Sequence, residues 1–137
     1  VKLSHPTKKI KDLLDNLPDN VILPGYVSGD IIKGAYGRSN IFFFPSREET
    51  EGIVVLEALA CKCNVLLRDI PVFSDWLEDG VNCYKGNDTD DFVDIINKMI
   101  EGEYPSLVDQ GYEVAKQREL SKIGKELLEV YEETLRL

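Results

Sequence analysis

Four consecutive apolar residues, Ile41, Phe42, Phe43 and Phe44, lie between Asn40 and Pro45, and this run with the 20 or so residues after it restricts the fold more than any other stretch. Such a run has no polar face, so it reads as a central strand buried on both sides. It leads through a polar segment at 46–52 into residues 53–62, IVVLEALACK, which are apolar almost all round and predict a deeply buried helix. Residues 65–67 then supply a second strand. A strand, a crossover helix and another strand in this order set two strands side by side in parallel.

The alternation continues in both directions. Ile10, Leu13, Leu14 and Leu17 recur at helical spacing over 7–17, and Pro18 stops that helix. Val21, Ile22 and Leu23 predict a short strand. Pro24 and Gly25 turn the chain, and Ser28 caps a helix reaching Gly37 with Ile31, Ile32 and Ala35 inward. Beyond Asp69 the pattern predicts a short helix over 73–78, a turn at Asp79 and Gly80, a brief strand over 82–84, and helices over 90–101, 106–118 and 122–136. The fold class is α/β: a Rossmann-like parallel sheet with helices on both faces. At 137 residues it is one domain with one core. Only Val1, Lys2 and Leu3 precede the first helix, so the domain is expected to lack its first strand.

Charge narrows the partners. A net charge of −9 opposes the counterion release that drives nucleic-acid binding and repels an anionic bilayer, so neither is expected to meet this domain directly. The longest strongly apolar stretch, 53–60, is too short to span a membrane and no secretory pattern opens the chain, which reads as cytoplasmic. Cys61 and Cys63 lack the spacing of a zinc site, so the cysteines are expected to be reduced core thiols. His5, the sole histidine, is given no catalytic part, and Trp76 and Tyr84 read as packing residues.

In an open parallel sheet, ligands bind beyond the carboxyl ends of the strands, where loops enter helix N-termini. The 46–52 loop is such a place. Backbone N–H groups at Gly52, Ile53 and Val54, with the positive end of the helix dipole, suit a diphosphate. Glu57, set in an apolar helix, needs a partner there, either a ribose diol or a buried basic or backbone group. Glu48, Glu49 and Glu51 crowd the helix start, as dipole-favoured carboxylates or as acceptors for sugar hydroxyls.

The run from Pro45 to Ala60, PSREETEGIVVLEALA, resembles the Glu-x7-Glu signature of family-four retaining glycosyltransferases, with Glu49 and Glu57 as the two glutamates. The resemblance extends over nearly the whole chain, through Gly25, Tyr26 and Val27 and through residues 81–86. It implies the C-terminal half of a GT-B fold, the half that holds a sugar-nucleotide donor. By position, Glu49 would be the catalytic residue and contact the donor sugar, Glu57 would bind the ribose diol, Gly52, Ile53 and Val54 would meet sugar or phosphate, and Tyr26 and Val27 would lie near the base. Glu51 stands for a usual aromatic, and Lys62 and Asn64 for a usual Gly and Pro. The family's Arg and Lys that neutralise the diphosphate would precede Val1.

The wording FFFPS, EETEGIVVLE and LLRDIPV is similar to bacterial diacylglycerol glycosyltransferases. This implies a UDP-sugar as donor, no cofactor and no metal, and a lipid acceptor handled by an N-terminal domain absent from this chain, with peripheral membrane contact through that domain. The fragment would be inactive alone. An acidic cluster after a buried strand also suits a Mg²⁺-binding phosphoacceptor signalling module, and a non-catalytic interaction domain is the third reading.

Overall fold

A computed structural model describes residues 6–136. The expectations placed on Val1, Lys2, Leu3 and His5 lie outside these residues. The chain divides into two compact units, residues 1–32 and 33–137, with the boundary inside a helix.

In the first unit, α1 (Lys8–Asp15) starts where the Thr7 hydroxyl accepts the Ile10 N–H. The strand expected at Val21, Ile22 and Leu23 does not form. A strand is a paired object, and here Val21 N–H closes a turn onto the Pro18 carbonyl while all three side chains stay exposed. Helix α2 (Gly29–Tyr36) crosses the boundary; Ile31, Ile32 and Ala35, expected to face inward, are exposed.

The second unit carries the sheet. Strands β1 (Ile41–Phe44), β2 (Asn64–Arg68) and β3 (Tyr84–Gly86) run parallel in the order β1-β2-β3. Their connections are α3 (Ile53–Ala60) and a 3-10 turn at Pro71–Phe73, and they are followed by α4 (Thr89–Glu101), α5 (Val108–Gln117) and α6 (Leu120–Leu135). Among the described residues the middle strand is therefore β2, whose Val65, Leu66 and Leu67 are all buried, and β1 has a strand on one side only, with Phe43 43% exposed. The burial expected on both faces of β1 is not found, since Ile41, Phe42 and Phe44 are half-buried and Phe43 is exposed: an apolar run fixes neither full coverage of both faces nor pairing of both edges.

Period-two alternation sends Val65 and Leu67 to one face, where they pack with Val55, Ala58, Leu59 and Phe73. Leu66 joins Tyr84, Phe92, Ile95 and Leu107 on the other. Helices thus cover both faces of the sheet. Helix α3 is buried only at Val55, Ala58 and Leu59, not all round, and Ile53 remains 58% exposed. The helix expected over 73–78 is replaced by the turn ending at Phe73, and the strand expected over 82–84 begins at Tyr84.

Asn64 opens β2 and fastens its amino end. Its Oδ1 accepts the Leu107 N–H at 2.8 Å and the Ser106 hydroxyl at 3.3 Å, while its Nδ2 donates to the Asn40 carbonyl at 3.3 Å. Asn64→Ala is expected to lower unfolding stability by about 1–3 kcal/mol, because the Leu107 amide is left without its acceptor. Urea titration checks this; an unchanged midpoint would show that water replaces the side chain at no cost.

Candidate functional site

At the carboxyl end of β1 the chain enters a loop, residues 45–52, that is organised by its own polar groups. The Ser46 hydroxyl donates to the Glu48 carbonyl at 2.7 Å. Glu49 then turns back on the backbone: its Oε1 accepts the Thr50 N–H at 2.8 Å and the Thr50 hydroxyl at 3.4 Å. The amides of Thr50, Glu51 and Gly52 together hold the Glu49 carboxyl below the usual carboxylate range. Its stabilising contribution is complete above the ordinary glutamate range and is lost as pH falls through the lowered folded value. The loop's own backbone thus already holds one carboxylate, that of Glu49.

Gly52 joins this loop to α3. It is the N-cap residue, in the left-handed region at φ 72°, with no side chain to cap the helix. A Cβ there would lie 2.4 Å from Phe73 Cε1, so the Phe73 ring occupies the space beside this backbone. Phe73 is fully buried, 6.4 Å from the Phe44 ring and 5.7 Å from Trp76, both edge-on. Trp76 donates its indole N–H to the Val72 carbonyl at 2.9 Å and carries the Arg118 guanidinium over its ring at 4.7 Å. Phe73 supports the site from behind, and nothing in its local sequence pattern marks it for that.

Glu57 lies one turn into α3, on the exposed side of the helix. The expectation that burial forces a partner on it is therefore overturned: water already solvates this carboxylate. Its Oε2 is 3.5 Å from the Tyr36 hydroxyl, a long hydrogen bond, and burial together with this carboxylate pushes the Tyr36 phenol up from its ordinary value. A groove of about 600 Å³ runs beside it, lined by Ile53, Leu56, Glu57, Tyr112, Arg118 and Leu120.

The structure thus gathers Glu49, Gly52, Ile53, Val54 and Glu57 along one loop and the first two turns of one helix. Tyr26 and Val27 belong to the first unit, where Tyr26 is fully exposed and Val27 half-buried. The carboxylates of Glu48, Glu49 and Glu51 do not converge, and among the described residues no group of three or more His, Cys, Asp or Glu side chains is arranged to hold a metal ion. No helix among the described residues is long and apolar enough to cross a membrane.

The departures at Lys62 and Asn64 are accommodated. Lys62 adopts φ 56°, a conformation that favours glycine, and its ammonium pairs with Asp109 at 2.8 Å. Asn64 replaces a proline's rigidity with the three hydrogen bonds described above.

The chain is 43% identical over 131 residues to a processive diacylglycerol alpha-glucosyltransferase of Acholeplasma laidlawii, a match covering 96% of this chain and 40% of that protein. It is 31% identical over 78 residues to an alpha-galactosylglucosyldiacylglycerol synthase of Streptococcus pneumoniae, covering 57% of this chain and 21% of that protein. It therefore spans well under half of either relative. The profile of the family described as glycosyl transferases group 1 matches residues 6–123, which is most of the chain and includes the whole 45–52 loop and α3. The chain belongs to the glycosyl transferases group 1 family.

Proposed function

We propose that this chain is the nucleotide-sugar-binding domain of a retaining hexosyltransferase that moves glucose or galactose from a UDP-sugar to diacylglycerol or a glycosyl-diacylglycerol. The observation that carries the reading is the placement of Glu49 and Glu57 on either side of the α3 start, with the Gly52, Ile53 and Val54 backbone between them. The names of the two relatives support the acceptor class. Glu57 accepts hydrogen bonds from the ribose diol, Glu49 from a hydroxyl of the donor sugar, and the first amides of α3 face phosphate or sugar oxygen. Tyr26 and Val27 serve the base.

Transfer puts negative charge on the departing diphosphate, and fixed N–H groups aimed at it stabilise that charge without reorganising. No nucleophile is assigned to this domain, because the leaving phosphate itself can assist a front-face displacement. Acceptor lipid and membrane are met by other parts of the enzyme, which acts peripherally at the cytoplasmic face. The dispersed carboxylates at the loop argue against the Mg²⁺-dependent signalling module.

Ligand-observed NMR of the chain with UDP, GDP, ADP and UDP-glucose tests the reading. Uridine-selective binding is expected, weakened in Glu57→Ala by about ten- to a hundredfold, the loss of hydrogen bonds to a charged acceptor worth about 1.5–3 kcal/mol. Equal response to all three nucleotides, or indifference to the substitution, would count against it.

A further inference from the structure

The backbone ladder of the sheet stops just short of the site, and one side chain continues it. Phe44 pairs with Leu67, so the next rung on that side would join Pro45 to Arg68. Arg68 pairs with Gly86, so the next rung on the other side begins at Asn87. The Arg68 side chain bonds to both of these neighbours. Its Nε donates to the Pro45 carbonyl at 3.1 Å, and its Nη1 donates to the Asn87 carbonyl. The guanidinium lies over the Phe92 ring at 5.1 Å, and Phe92 meets Phe43 of β1 edge-on at 5.0 Å. One residue on the middle strand therefore ties the carboxyl ends of all three strands.

Only arginine supplies this geometry. Its planar fork directs rigid N–H donors to two carbonyls on opposite sides while its flat face covers a ring, whereas a lysine ammonium has no such plane. The Pro45 carbonyl is the first acceptor of the 45–52 loop. Inside the loop, the Ser46–Glu48 and Glu49–Thr50 hydrogen bonds make it a self-supporting piece, so its direction is set where it is attached. One attachment is Gly52 against Phe73; the other is Pro45 on Arg68.

We propose that Arg68 is a positioning residue for the 45–52 loop: it fixes the angle at which the loop leaves the sheet, and hence where Glu49 and the first amides of α3 point. The consequence for the donor rests on the functional reading above, while the effect on the loop does not. Residual dipolar couplings of the backbone N–H vectors separate the two. In Arg68→Met, couplings at Glu48, Thr50, Glu51 and Gly52 are expected to depart from the alignment that still describes Val65, Leu66 and Leu67. Arg68→Lys is expected not to restore them. Asn64→Ala, which loosens the opposite end of the same strand, lowers stability without moving them, and this distinguishes positioning from general weakening. Should Arg68→Met fail to fold, Arg68→Gln, which keeps one donor, is measured in the same way. Loop couplings that stay with the sheet in the folded variant overturn the proposal.

UDP affinity supplies the second arm: about a tenfold or larger loss is expected in Arg68→Met, as for a misplaced binding group. Shifted couplings in a chain that binds no nucleotide in any form uphold Arg68's role and sink the donor reading. Shifted couplings with unchanged UDP affinity overturn the link between loop direction and donor.

Discussion

Gly52→Ala is expected to cost the chain about 2–5 kcal/mol of stability, the sum of two effects acting on one methyl group. An L-residue held in the left-handed region costs about 1–2 kcal/mol. The new Cβ also meets Phe73 Cε1 at 2.4 Å, and forcing extra volume into a packed site costs about 1–3 kcal/mol. Phe73 has little room to retreat, being fully buried and bounded by Phe44 and Trp76. Against a typical total of about 5–15 kcal/mol, the loss removes a large share. Urea unfolding measures it. Gly52→Asn separates the two effects, because asparagine tolerates the left-handed region but still carries a Cβ. If the contact with Phe73 dominates, asparagine is no better than alanine. A Gly52→Ala chain within about 0.5 kcal/mol of the parent, as for an ordinary surface change, would show that Phe73 does not wedge this backbone.

The second large effect is alkaline. Burial pushes the Cys83 thiol up to about 12, with Asp79 and Asp69 adding to the shift and Lys85 opposing it. In the unfolded chain the same thiol titrates near about 8.5. Between these values the unfolded chain releases a proton that the folded chain keeps. Stability is therefore complete below about pH 8.5 and falls as pH rises toward about 12, by on the order of 5 kcal/mol from this group alone. Tyr36 and Tyr84 are raised in the same direction, chiefly by burial, so the test is a difference. Urea midpoints of the parent and Cys83→Ala are compared at about pH 8 and at higher pH. The variant is expected to start less stable, because a buried side chain is shortened, and to lose less on alkalinisation. Parallel pH profiles would mean that Cys83 ionises in the folded chain.

The βαβ alternation and the parallel sheet were legible from the order of apolar runs and helical periods, although the period over α2 and the run of β1 overstate burial. Edge position is not recorded in that way. Ile41, Phe42, Phe43 and Phe44 are apolar enough for a central strand, yet β1 has one paired neighbour among the described strands. The short helix expected over 73–78 likewise gives way to a tight turn beginning at Pro71. The loop and α3 stand out as a candidate site through their place after a strand, and the structure does set that loop between β1 and the α3 start. Glu57 was reached through a burial argument that fails, since its side of α3 is exposed. Phe73 and Arg68 were missed for a common reason. Each acts on the loop from a distant part of the chain, and Arg68 becomes significant only once the register sets Pro45 opposite it.

The unequal burial of the three thiols has a practical consequence. Cys63 and Cys83 are buried, and Cys63 donates its S–H toward the Ser39 carbonyl, whereas Cys61 is partly open to solvent at the C-cap of α3. Thiol reagents need access as well as ionisation, so in the folded chain they are directed to Cys61. With eight helical residues between Gly52 and Cys61, a dye or spin label attached there sits roughly 12–15 Å from the loop. The chain thus comes with its own single attachment point for watching that loop, and no cysteine has to be added or removed to use it.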